Sequence, residues 1–208
     1  MDNIQMEIDI QDTLKQIKRS FHTRMNGVAS QSMRQKGLDY KVNWGVALPH
    51  LREMAAEYQP SYSLAVELWK ENIRECKILA TMLMPPAEMP EQLVELWIEQ
   101  TKSQEIAEMA VFNLYQHLDY APQMAFRWIA SDDSIRQLSG YQLFACLFGK
   151  GLIPDTRGVN EYIDQVKVTL EGTDTAVSHA AMNSVNRFCQ LGPEYEQIAS
   201  KALSEYGF

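Results

Sequence analysis

A chain built from stacked pairs of α-helices is what this 208-residue sequence predicts, and three observations carry that expectation. Apolar side chains recur at helical spacing over almost the whole length. Pro and Gly punctuate the stretches between. A helix ending in Trp returns at a roughly constant interval, the mark of a repeat architecture. Leu14, Ile17, Phe21 and Met25 follow the i, i+3, i+7, i+11 pattern, and Asn26-Gly27 is expected to close that first helix. Leu48-Pro49 opens the next with Pro in its first turn and Leu51, Met54, Ala55 and Tyr58 on one stripe. Further helices are expected near 61–71, 74–84, 91–101, 104–118, 121–130, 134–148, 157–171, 175–190 and 193–205. Pro60, Pro85-Pro86, Pro90, Gly149-Lys150-Gly151, Pro154, Gly172 and Gly192-Pro193 separate them. Alternating β-branched runs are absent, so no sheet is expected.

The repeat shows in the residues themselves. Val66-Glu67-Leu68-Trp69 returns as Val94-Glu95-Leu96-Trp97, and a weaker copy ends in Phe126-Arg127-Trp128. Small residues at Ala80, Ala110 and Gly140 hold equivalent places in the helices that follow, with Ala180 in a fourth, longer copy. A helix pair cannot bury its apolar face alone, so neighbouring pairs stack into one core. Trp then fills the wedge between layers, and the small residue lets two backbones approach. Core is preferred here to an aromatic ligand cage. The interval is short for a standard HEAT or armadillo unit, so the fold expected is an all-α, HEAT-like helical-repeat solenoid. It would have about six antiparallel helix pairs and a concave face. With 46% hydrophobic residues the chain is expected to form a single domain over 1–208, with 1–10 a flexible start.

Composition excludes several classes of function. The mostly apolar run Ile78–Met84 is far short of the roughly 20 residues a bilayer span needs. Nothing at Met1-Asp2-Asn3 resembles a signal sequence, so a cytoplasmic protein without membrane attachment is expected. Cys76, Cys146 and Cys189 are dispersed and odd in number, which fits buried reduced thiols. His22, His50, His117 and His179 are scattered without ligand spacing. Gly149-Lys150-Gly151 is too short for a phosphate loop, and no G-x-S-x-G or G-x-G-x-x-G occurs. Neither a metal nor a cofactor is expected. The net charge is −8, yet Lys15, Lys18, Arg19, Arg24, Arg34, Lys36, Lys41 and Arg52 against Asp39 make residues 13–52 +7, leaving −15 elsewhere. A basic segment can meet phosphate locally, or simply wet a helix face.

Gly45-Val46-Ala47-Leu48-Pro49-His50-Leu51-Arg52, Leu64-Ala65-Val66-Glu67-Leu68-Trp69, Glu75-Cys76-Lys77-Ile78-Leu79-Ala80 and Trp128-Ile129-Ala130-Ser131-Asp132 closely resemble the motifs of the AlkD-type DNA alkylation repair glycosylases. Gly192-Pro193-Glu194 fits the same pattern, and the likeness runs from about residue 10 to 205. The resemblance implies a curved solenoid that grips duplex DNA and excises cationic N3- or N7-alkylated purines without flipping the base fully into a pocket. Aromatic side chains would contact the sugar and backbone, and an Asp would steady the oxocarbenium charge. The residues implied for that chemistry are replaced. The first aromatic falls on Glu105, the catalytic Asp on Met109, the Arg on Leu138 and the second aromatic on Asn183. A thioether cannot stabilise a cation as a carboxylate does, and Leu cannot hold a phosphate.

Glu108 and Arg136 are the substitutes closest in sequence. Glu105, Glu108, Phe112 and Tyr115 share helical spacing that would place two acids beside two aromatics. Packing of Phe112 and Tyr115 on the next repeat, with the acids in water, is the preferred outcome. A slip of one residue turns a helical side chain by about 100°, which aims Glu108 elsewhere. No catalytic residue is therefore assigned, and whether the chain is a glycosylase stays open. Arg24, Arg34, Lys36, Lys41, Arg52, Lys77 and Arg136 are the candidates for contact with DNA phosphates. The expected function is that of a DNA alkylation repair-like protein that engages duplex DNA with degenerate or absent alkylpurine excision. The alternative is a scaffold for a basic protein partner that has left DNA behind.

Overall fold

A computed structural model describes residues 2–207, with side chains from residue 9 to 207. Met1 and Phe208 lie outside the described residues. The elements are α-helices joined by short links and four 3-10 turns. Among the described residues the only β-pairing is an isolated parallel bridge between Val42 and Ile73. The chain forms two compact units, 1–90 and 91–208.

The first unit holds α1 (Asp2–Ser20), α2 (Gly27–Gln35), α3 (Leu48–Ala56), α4 (Tyr62–Lys70) and α5 (Arg74–Leu83). Of the expected flexible start at 1–10, residues from Asp2 onward run into α1. Helix α5 packs on both α3 and α4, and α1 packs on α4. Ile17, Phe21, Leu51, Leu68, Trp69, Ile78, Leu79 and Ala80 make the core. Asn26-Gly27 does not close a helix, as the sequence suggested. The first helix tightens into a 3-10 turn at Phe21–Thr23, and Asn26 starts α2 by accepting the Ala29 N–H at its side chain. Asn is among the best residues for that capping role, worth about 1 kcal/mol.

The link from α2 to α3 is tied down by charge. Glu75 on α5 has no solvent exposure, and its carboxylate accepts the Trp44 and Val46 N–H groups, each at 3.2 Å. The Arg74 guanidinium, equally buried, donates to Glu75 Oε1 at 3.1 Å and to the Val46 carbonyl at 3.0 Å. Gly45 lies between at φ 68, where a Cβ would stand 2.3 Å from the Asn26 carbonyl. Only Gly fits there. Glu75 and Gly45-Val46, which lie in separate sequence motifs, thus form one knot.

The second unit holds α6 (Glu91–Gln100), α7 (Gln104–Asn113), α8 (Ala121–Ile129), α9 (Ser134–Gly149), α10 (Thr156–Glu171), α11 (Thr175–Cys189) and α12 (Pro193–Leu203). Helix α9 packs against α7, α8 and α11 and is buried on most sides. Trp69, Trp97 and Trp128 are all buried, so the repeated Trp is core in both units. Ala80, Ala110 and Gly140 are buried too, and at Gly140 a Cβ would meet the Ile129 backbone nitrogen at 2.9 Å. That is the close approach of α8 and α9. Phe126, Phe144, Phe148, Tyr162, Phe188 and Tyr195 continue the core as a chain of rings with centroids 4.8–5.4 Å apart.

The single helix expected over 104–118 ends at Asn113. Leu114 leaves helical geometry at φ −131, ψ −61, and a 3-10 turn follows at Tyr115–His117. The break lets Tyr115 bury its ring 5.5 Å from that of Trp128. Ser103, Asp133, Asp155 and Asp174 each accept N–H groups at the starts of α7, α9, α10 and α11. Of the cysteines only Cys76 is fully buried; Cys146 and Cys189 are partly exposed, and all three are free thiols.

Two stability changes follow. Gly140→Ala should lower the thermal midpoint, because overpacking against backbone costs about 1–3 kcal/mol and outweighs a helix-propensity gain of about 1. Gly149→Ala, with nothing within 4 Å of its Cβ, should gain stability, so denaturant titration of the pair separates crowding from propensity. Glu75→Ala leaves Arg74 buried without its carboxylate and should cost about 3–5 kcal/mol in the same titration.

Candidate nucleic-acid interface

Helix α9 packs between α7 and α11, and side chains from these three helices line a cleft of about 540 Å³ within the second unit. Glu108, Met109 and Phe112 come from α7, Gln142 and Cys146 from α9, and Asn183 and Arg187 from α11. Lys150 joins them from the residue that follows α9. The spacings i, i+4 at Glu108/Phe112, Gln142/Cys146 and Asn183/Arg187 place each pair on one helix face.

The cleft mixes one acid, two cations, amides and an aromatic. Glu108 Oε1 accepts the side-chain amides of Gln104 at 2.8 Å and Gln142 at 3.0 Å. The Phe112 ring is 55% exposed. Lys150 donates to the Gln116 carbonyl at 2.9 Å, and Arg187 donates to Gln190 Oε1 at 3.0 Å. Neither cation pairs with a carboxylate among the described residues. Burial pushes the Cys146 thiol up, and the nearby charges of Lys150 and Arg187 pull it partly back. Burial, aided by Lys150, lowers the His117 pKa as well.

Several expected positions meet here and others do not. Met109 and Asn183, where the resemblance implies an Asp and an aromatic, line the cleft together. Glu108 lines it too, so the aim expected from a one-residue slip is corrected: the cleft is wide enough to admit neighbours 100° apart on α7. Glu105 is outside the lining, and Leu138 is buried in the core. The shared face of Glu105, Glu108, Phe112 and Tyr115 does not form, because the break at Leu114 carries Tyr115 into the core while Phe112 stays exposed.

Among the basic candidates, Arg136 is held by Glu95, which also accepts the Trp128 indole N–H at 3.3 Å. Lys77 donates to the Trp69 carbonyl at 2.8 Å, sits 4.4 Å over that ring, and has its pKa lowered by burial. Arg24 lies 3.6 Å from Glu57. These three serve contacts inside the protein. Arg34, Lys36, Lys41 and Arg52 are exposed. Arg34 and Lys41 share a hollow of about 380 Å³ in the first unit with Asp39. Gln142, Cys146, Lys150 and Arg187 were not singled out as site residues from sequence. Their i, i+4 pairing was the available signal.

Among the described residues no group of three His, Cys, Asp or Glu is placed to hold a metal ion, and no helix is long and apolar enough to cross a membrane.

Trp-cored helix pairs with an open, mixed-charge cleft define a helical-repeat protein. The chain belongs to the DNA alkylation repair enzyme family, whose sequence model matches residues 16–164. A solved structure described as a new family of proteins related to the HEAT-like repeat DNA glycosylases, with affinity for branched DNA structures, has the same fold. Its TM-score is 0.82 at 18% identity, over 93% of this chain and 83% of that one. No curated protein matches the chain.

Thiol chemistry offers a direct check on the cleft. Burial raises the thiol pKa of all three cysteines, so alkylation by iodoacetamide should run slower at pH 7.5 than for a free cysteine and rise with pH. Peptide mass spectrometry should place Cys76 slowest. Cys76 labelled as fast as Cys146 would contradict the burial described.

Proposed function

We propose that this chain is a DNA-engaging member of its family in which alkylpurine excision is weak or absent. The observation that carries the reading is the cleft itself. Met109 and Asn183, which the resemblance aligns with an Asp and an aromatic, line it, and its Lys150 and Arg187 have no carboxylate partner among the described residues. Two such cations against the one acid of Glu108 favour phosphate over a basic protein partner, which is the reason to prefer DNA to the scaffold reading. Arg34, Lys36, Lys41 and Arg52, exposed in the first unit, supply further candidates for phosphate contact.

The affinity for branched DNA attributed to the structural relative makes a four-way junction the natural companion to a linear duplex in the test. Fluorescence anisotropy with both should show binding that weakens steeply with salt, the logarithmic slope being about −0.9 per phosphate neutralised. Lys150→Gln and Arg187→Gln should each weaken binding and flatten that slope by about 1. Absence of binding at low ionic strength would defeat the proposal. Release of N7-methylguanine from treated DNA should stay at background. Release that disappears in Glu108→Gln would instead establish an active enzyme that uses Glu108.

A further inference from the structure

We infer that the cleft on α7, α9 and α11 takes one unpaired DNA nucleotide, its base laid on Phe112 and an exocyclic amine of that base donated to Glu108. The inference rests on the DNA-engaging reading above and names what the cleft itself recognises.

The first ground is Phe112. Other phenylalanines of the second unit, Phe126, Phe144, Phe148 and Phe188, are in ring contact with a neighbour, whereas Phe112 is 55% exposed and touches no other ring among the described residues. An open aromatic face in a cleft is a stacking platform for any base, since every base has a π-face. The second ground is hydrogen bonding. Glu108 Oε1 already accepts two amides, while among the described residues nothing donates to Oε2 and the Asn183 amide makes no hydrogen bond. A carboxylate is acceptor-only, so it asks for a donor. Adenine, cytosine and guanine carry an exocyclic amine; thymine does not.

Charge and size agree. Lys150 and Arg187 stand at the same cleft without carboxylate partners and suit the phosphate of that nucleotide. A volume of about 540 Å³ falls within the range typical of small-ligand sites. A paired base offers neither a free face nor a free Watson–Crick edge. A base at a bulge, flap or branch point offers both.

The test compares a fully paired 20-mer duplex with the same duplex carrying one bulged cytosine or one bulged thymine. The bulged cytosine should bind about 10-fold tighter than the paired duplex, the scale of one stacked base. Phe112→Ala should bind the two equally, and Phe112→Trp, which keeps a stacking face, should keep the preference. Matching thermal melts certify that both variants fold. Cytosine should also outbind thymine, and Glu108→Ala should level them. Equal affinity for bulged and paired DNA, or a preference that survives Phe112→Ala, overturns the inference while salt-dependent duplex binding leaves the broader reading standing. Equal affinity for cytosine and thymine overturns the assignment to Glu108. Failure to bind any of the three duplexes removes both.

Discussion

A carboxylate with no access to water persists only if its charge and lone pairs are fully met, because the desolvation of an unpaired ion costs several kcal/mol. Glu75 meets that demand with two backbone N–H groups and the Arg74 guanidinium. The first unit is organised around the result. The Trp44 and Val46 amides are fixed to α5, and Gly45 between them passes within contact of the start of α2. Helix α3 begins two residues after Val46, at Leu48. A long link that would otherwise wander is thereby held where it enters α3, and α3 is delivered onto α5 with Leu51 and Met54 inward.

The second unit uses shape where the first uses charge. Its central helix, α9, has little polar surface to spare, since neighbours cover Leu138, Tyr141, Phe144, Leu147 and Phe148. A helix wrapped on most sides needs some place where backbones come close, and Gly140 supplies it against Ile129. Tyr141 and Tyr162 keep their buried hydroxyls satisfied with Thr169 at 2.7 Å and Ser184 at 2.6 Å. Burial raises both tyrosine pKa values, that of Tyr141 to about 12, so the two stay neutral at physiological pH. Such rigid packing is what lets α7 and α11 hold their outward faces on either side of α9 at a fixed spacing.

Most helices were legible because their apolar stripes are long and their ends are marked by Pro, Gly, Ser or Asp. Helix α2 was not, for a physical reason. It has no apolar stripe: Val28 is 81% exposed, and its buried residue is Ser30, whose hydroxyl donates to the Asn43 carbonyl at 2.7 Å. Its stability comes from the neighbouring link, which a local pattern cannot report. The break at Leu114 is similar, since only the tertiary site beside Trp128 explains why Tyr115 leaves the α7 face. At the cleft, the family resemblance pointed to Met109 and Asn183, and adjacency to Glu108, but not to their meeting with Lys150 and Arg187. Three helices must pack before residues 33 to 79 positions apart in sequence become neighbours, and Lys150 looked like mere punctuation between glycines.

Glu108 lies one position from Met109 and inside the same cleft, so the presence of a carboxylate does not by itself decide whether excision survives. The medium around it does. Two unit charges 4 Å apart attract by about 1 kcal/mol in water and about 4 kcal/mol at the effective dielectric near a protein surface. A cleft that leaves Phe112 more than half exposed belongs to the wet end of that range, and two neutral amides already share Glu108 Oε1. Steadying an oxocarbenium ion asks for a dry, aimed charge. Recognition asks for less, because stacking on an aromatic face and a hydrogen bond to a carboxylate both survive partial hydration. With Met109 where the resemblance implies an Asp, and Glu108 held beside it by Gln104 and Gln142, the proposed reading of a base asks of this cleft only what a wet site can supply.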